Sequence, residues 1–110
     1  MRASKIKERY NNLITEQELA DVFAIASNNF WNLEDNEYDY KEGTPEYIAA
    51  CAETDEWLEL KEFYENKIFE IIRGEGTEIP DIGVIVVLAP FMKKYGYDDE
   101  NGWWIKININ

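Results

Sequence analysis

The sequence predicts an α-rich α+β fold, about four helices around a central amphipathic helix (about 55–73) with a small antiparallel sheet near the C-terminus (about 83–88 and 103–109). Three observations predict it. Between Asp55 and Arg73, Trp57, Leu60, Tyr64, Ile68 and Ile71 fall on one stripe at 100° per residue, widened by Leu58, Phe69 and Ile72, while Glu59, Glu62, Asn66, Glu70 and Arg73 gather opposite. Further helix starts are marked by capping residues. At the C-terminus Trp103, Ile105, Ile107 and Ile109 alternate with Trp104, Lys106, Asn108 and Asn110, the period of a half-buried strand.

In chain order, Ala3–Leu13 puts Ile6, Tyr10 and Leu13 on one helical face and is short enough to need docking to persist. Thr15 is a helix cap with Glu18 three residues on, Ile14 and Leu19 stand at staple positions, and Leu19, Val22, Phe23, Ala26, Phe30 and Leu33 follow at helical spacing. Together they predict a helix from Glu16 to Leu33. The acids and tyrosines from Glu34 to Gly43 show no helical stripe and read as a surface loop. Thr44-Pro45-Glu46 restarts a helix, as cap, first-turn proline and first-turn acid. A break near Glu53-Thr54 is expected before the central helix, the alternative being one helix of nearly thirty residues. Arg73 suits the negative end of that helix, and Gly74 can supply its left-handed stop. The run Gly83–Leu88 is apolar on both faces and β-branched, which predicts a buried strand. A helix interrupted at Pro90 competes with it. Pro90–Tyr95 reads as a short helix ended by Gly96, and Asp98–Gly102 as a turn. Trp103–Ile109 is then expected to pair with Val84–Leu88, with Trp103 on the buried face and Trp104 on the wetter one.

With 110 residues, 45% hydrophobic and 15% aromatic, the chain is sized for one domain (1–110) with a real core. Its longest apolar run, Ile82–Met92, is too short for a membrane span, and its charged N-terminus is followed by no apolar signal region. A lone cysteine, Cys51, fits a reducing cytoplasm, and its place between alanines on an apolar helical side predicts a buried structural thiol. The net charge of −12 is concentrated. Glu34 to Glu65 holds twelve acids against Lys41 and Lys61, whereas Arg2, Lys5, Lys7 and Arg9 face only Glu8 in the first thirteen residues. Such a field repels nucleic acid and anionic membranes and attracts a basic partner.

The residue inventory argues against catalysis. There is no histidine to act as general base or zinc ligand, Cys51 has no activating neighbour, and Ser4 and Ser27 lie in no nucleophile setting. No glycine loop precedes a lysine–serine pair. Carboxylate pairs are so abundant that they single out no site. At Asp98–Gly102 an EF-hand loop would need an acid where Tyr97 stands, so neither metal nor cofactor is expected. What remains are two stretches that interleave acids with aromatics, Phe30–Tyr40 and Tyr95–Trp104. Aromatics concentrate at contact centres, and surrounding acids select a basic partner. The competing reading is that the aromatics simply cover the core.

These observations predict a non-catalytic acidic binding protein of the cytoplasm whose contact residues are Glu34, Asp35, Glu37, Tyr38, Asp39, Tyr40, Asp98, Asp99, Glu100 and Trp104. Small, acidic, histidine-free and of one domain, it resembles bacterial immunity and antitoxin proteins as a class, although no family motif matches residue by residue. That resemblance implies inhibition of a basic toxin or nucleic-acid-binding protein. Two other readings stand beside it: a small carboxylate-based or divalent-cation-dependent enzyme, and a subunit that dimerises through its sheet edge.

Overall fold

The computed structural model describes residues 15–37, 40–76, 84–100 and 103–107. Three helices and one hairpin are found among them: α1 (Glu16–Glu37), α2 (Pro45–Gly74), α3 (Val84–Lys94), β1 (Tyr97–Glu100) and β2 (Trp103–Lys106). The expected helix over Ala3–Leu13 and the strand residues Asn108–Asn110 lie outside the described residues.

The helix starts follow the capping chemistry. Thr15 Oγ1 accepts the Glu18 N–H at 3.0 Å and donates to Glu18 Oε1 at 2.9 Å, which closes the N-terminus of α1. Thr44 Oγ1 accepts the Tyr47 N–H at 3.3 Å ahead of Pro45, opening α2. Helix α2 does not break at Glu53-Thr54. Thr54 is buried, and its hydroxyl donates to the Ala50 carbonyl one turn back at 2.8 Å, so the residue expected to interrupt the helix is satisfied within it. The stop also comes later than expected: Gly76, with φ of 93°, supplies the left-handed residue rather than Gly74. Thirty residues at the helical rise span about 45 Å, and the longest dimension of the molecule is 47 Å.

Helices α1 and α2 make the most extensive contact of the fold. Joined by a short connection, they form an antiparallel pair in which Trp57, Leu60, Tyr64, Ile68 and Ile72 meet Leu19, Val22, Phe23, Ala26 and Phe30 in one core cluster. The expected central helix is thus only half of the centre. Helix α1 lies between α2 on one side and β2 on the other, whereas α2 touches α1 and, less extensively, α3. Its small residues Ala20, Ala24 and Ser27, all buried, allow that second close approach.

The small antiparallel sheet is present near the C-terminus with Trp103–Lys106 as one strand, but its partner differs from the expected one. Residues 84–88 belong to α3, which continues through Pro90 to Lys94, burying Leu88, Phe91 and Met92. The predicted helix end at Gly96 is present, with φ of 92°. The strand partner of β2 is instead β1, in the register Tyr97↔Lys106, Asp98↔Ile105, Asp99↔Trp104 and Glu100↔Trp103. Asp98–Glu100, expected in a turn, are therefore strand residues. Pairing across only Asn101 and Gly102 closes a much smaller loop than pairing with residues 84–88, and Asn-Gly is the dipeptide preferred in two-residue hairpin turns.

The faces of β2 are also reversed. Trp104 is 5% exposed and Tyr97 8%, while Trp103 is half-buried and Ile105 is 45% exposed. Trp104 leans on Phe23, with ring centroids 6.1 Å apart, and its backbone is held by α1: Asn28 Nδ2 donates to the Trp104 carbonyl at 2.9 Å, and the Trp104 N–H donates to Asn28 Oδ1 at 2.9 Å. Nearer the start of α1, Gln17 Nε2 donates to the Tyr95 carbonyl at 3.0 Å and the Tyr97 hydroxyl to Asp21 Oδ1 at 2.7 Å. Desolvation raises the pKa of the Tyr95 phenol above its ordinary value, and the hydrogen bond and charge of Glu16 raise it further.

Candidate functional site

The contacts from Gln17–Tyr95 through Asp21–Tyr97 to Asn28–Trp104 show the hairpin climbing α1 towards its C-terminus. From Asp21 to Asn28 the helix rises about 10 Å, and from the Tyr97 level to the Trp104 level the strands advance about 7 Å. The next strand pair, Glu100 and Trp103, therefore lies level with the last third of α1. There Trp31 is 41% exposed on the stripe that is fully covered at Ala20, Ala24 and Ser27. The connection from α1 to α2 starts at the same end, bringing Tyr40, 47% exposed, and the first turns of α2, where Ile48 is 62% exposed. The hairpin tip thus comes level with Trp31, near the start of the first acidic-aromatic stretch, although the two stretches are more than fifty residues apart in the chain.

Not every predicted contact residue is placed as expected. Glu34, Asp35 and Glu37 belong to the last turns of α1 rather than to a loop, because the helix continues past Leu33. Tyr38 and Asp39 lie outside the described residues. Tyr40, Asp98 and Glu100 are exposed, and Asp99 is half-buried. Asp98 carries a long ion pair to Lys93 at 3.8 Å, with both side chains more than half exposed, which contributes little to stability. Trp104 is turned into the core, so the aromatic residue it was expected to present is absent from the surface.

Two surface residues were not anticipated: Ile105 and Ile107, assigned to the buried face, are 45% and 40% exposed. Trp31, which the acidic-aromatic stretch Phe30–Tyr40 left open between contact and core, is exposed. The alternation of β2 favours the face of Trp103, Ile105 and Ile107, yet the other face meets the helices. That choice is made by the Trp104–Asn28 and Tyr97–Asp21 contacts, between residues far apart in sequence. Cys51, expected to be buried, is half-buried.

The site offers charge and apolar area rather than proton relays. Helix α1 has no basic residue in its last turn, so no lysine or arginine there offsets the negative end of its dipole. Among the described residues no group of three or more carboxylates or thiols is arranged to hold a metal ion, and no helix is long and apolar enough to cross a membrane. Calorimetric titration with zinc is expected to show no stoichiometric site of micromolar affinity, and a one-to-one isotherm would contradict this. The outer edge of β2 is also closed at its middle. The Ile107 N–H donates to the Gly96 carbonyl at 2.6 Å, which sets the ladder so that the amide and carbonyl of Trp104 point away from β1, and Asn28 takes both. A strand from a second copy cannot add there without displacing Asn28. No protein family matches the chain, and neither the characterised proteins nor the solved structures compared with it show a match.

Proposed function

We propose that this chain is a non-catalytic acidic binding protein of the cytoplasm that masks a basic macromolecule, as immunity proteins and antitoxins cover basic toxins or nucleic-acid-binding proteins. One observation carries the reading: the hairpin-tip acids come level with exposed Trp31, on the helix whose last turns carry Glu34, Asp35 and Glu37. Exposed aromatics ringed by like charges favour a partner of opposite charge and oppose self-association.

The placement of Glu34, Asp35 and Glu37 supports this physically. Carboxylates at the negative end of a helix dipole are unfavourable by about 0.3–1 kcal/mol each at low salt. A cationic partner surface relieves both that repulsion and the mutual repulsion of the acids.

The test begins with capture from the native lysate at low and high salt, using the wild-type chain as bait. Basic proteins captured at low salt are then compared with those held by a variant carrying Glu34→Gln, Asp35→Asn, Glu37→Gln and Asp39→Asn. The partner is expected to associate more slowly with the variant and with a flatter salt dependence, while thermal stability is unchanged or slightly raised. Trp31→Ala is expected to speed dissociation instead. If no basic protein distinguishes the wild-type chain from the amide variant, the reading is wrong.

A further inference from the structure

Resting on the reading above, we propose that the outer face of the β1–β2 hairpin is the seat for a basic amphipathic helix of the partner. In the antiparallel register, Trp103 stands opposite Glu100 and Ile105 opposite Asp98, and these four side chains share the face turned away from α1. Ile107, 40% exposed, continues the apolar row. The result is two parallel rows, one apolar and one acidic, about 5 Å apart across the ladder.

The spacing selects the occupant. Residues i and i+2 on a strand are about 6.7 Å apart, while residues i and i+4 on a helix rise about 6 Å. A helix laid along the hairpin therefore sets apolar side chains at i and i+4 over Trp103 and Ile105, and an adjacent row of lysine or arginine over Glu100 and Asp98. Lys93, paired loosely with Asp98 in the open, is displaced at little cost. A second copy of this chain fits poorly, because two such faces would bring their own acid rows together on a molecule of net charge −12. Addition of a strand to β2 is opposed by Asn28, which leaves the face rather than the edge as the contact.

The probe is a synthetic, dye-labelled peptide of about four helical turns, with leucine at i, i+4, i+7 and i+11 and lysine in the flanking row. Its control has the same composition with the leucines scattered. Fluorescence anisotropy with the full chain is expected to show the striped peptide binding at least about tenfold more tightly than the scattered one. Ile105→Asp is expected to abolish that preference while both peptides retain weak, salt-sensitive binding. Because Ile105 is largely exposed, circular dichroism and urea melts should show this variant folded, and Ile105→Ala gives a milder version with an intermediate preference. Equal binding of the two peptides to the wild type overturns the seat but leaves the acidic-partner reading standing. Binding of both peptides that is unaltered in the Glu34, Asp35, Glu37 and Asp39 amide variant, with the striped preference intact, counts against the general reading and not the seat. A concentration-dependent dimer in sedimentation that Ile105→Asp dissolves overturns the choice of occupant.

Discussion

Trp104→Ala is expected to cost about 3–5 kcal/mol, the range for removing a buried large aromatic from a well-packed core. For a domain whose whole stability is of order 5–15 kcal/mol, that is enough to leave much of the population unfolded. The residue is 5% exposed, lies tilted against Phe23 with ring centroids 6.1 Å apart and belongs to the core cluster. Its neighbour Trp103 is only half-buried, so Trp103→Ala is expected to cost about 1 kcal/mol. Paired urea melts decide it: a large shift for Trp104 and a small one for Trp103 supports the observed register, and the reverse order contradicts it. Acrylamide quenching of the remaining tryptophans should follow the same order, with Trp103 the more accessible of the pair.

Asn28 carries the second large effect. Its side chain acts as a one-residue strand, giving a donor to the Trp104 carbonyl and an acceptor to the Trp104 N–H. Asn28→Ala removes both partners from a half-buried peptide unit and is expected to cost about 1–3 kcal/mol. Asn28→Asp is more informative, because it keeps the acceptor and loses the donor. At neutral pH the introduced carboxylate still accepts from the Trp104 N–H but sets a charged oxygen against the Trp104 carbonyl, which has lost its donor, so this variant is expected to have a lower urea midpoint than the parent. Equal midpoints for Asn28→Asp and the parent would contradict the bidentate role.

Local signals in the sequence were read well, and pairings between distant residues were not. Thr15–Glu18 and Thr44–Pro45 mark the two main helix starts because a cap needs only residues within one turn. The stripe of Trp57, Leu60, Tyr64 and Ile68 is buried as the period implies. The run Val84–Leu88 was misread because it is apolar on all sides, so periodicity carries no information there, and β-branched composition favours a strand only where a partner is in reach. Strand β2 took its partner instead from the four residues Tyr97–Glu100, just before Asn101 and Gly102. For β2, the apolar alternation of Trp103, Ile105 and Ile107 points to a buried face, yet Tyr97 and Trp104 together meet α1 on the other one. Of the candidate site, the acids and Tyr40 were legible from composition. Ile105 and Ile107 were not, since their exposure depends on which face of the hairpin the helix covers, and the choice between contact and core at Trp31 depended on where the covering elements stop.

The first nine residues of α2, from Pro45 to Glu53, contain no buried side chain, and every buried residue of that helix lies at Thr54 or beyond. Nine residues are too few to hold a helix alone in water, so this stretch persists because it propagates from a segment already nucleated against α1. Its backbone amides are thus protected by a fraying equilibrium of small free energy, while those around Trp57 to Ile72 open only with the whole fold. Hydrogen exchange along this one helix should report two thermodynamic units. A partner that covers Ile48 would announce itself first as slowed exchange in the outer unit, well before any change in the melting temperature.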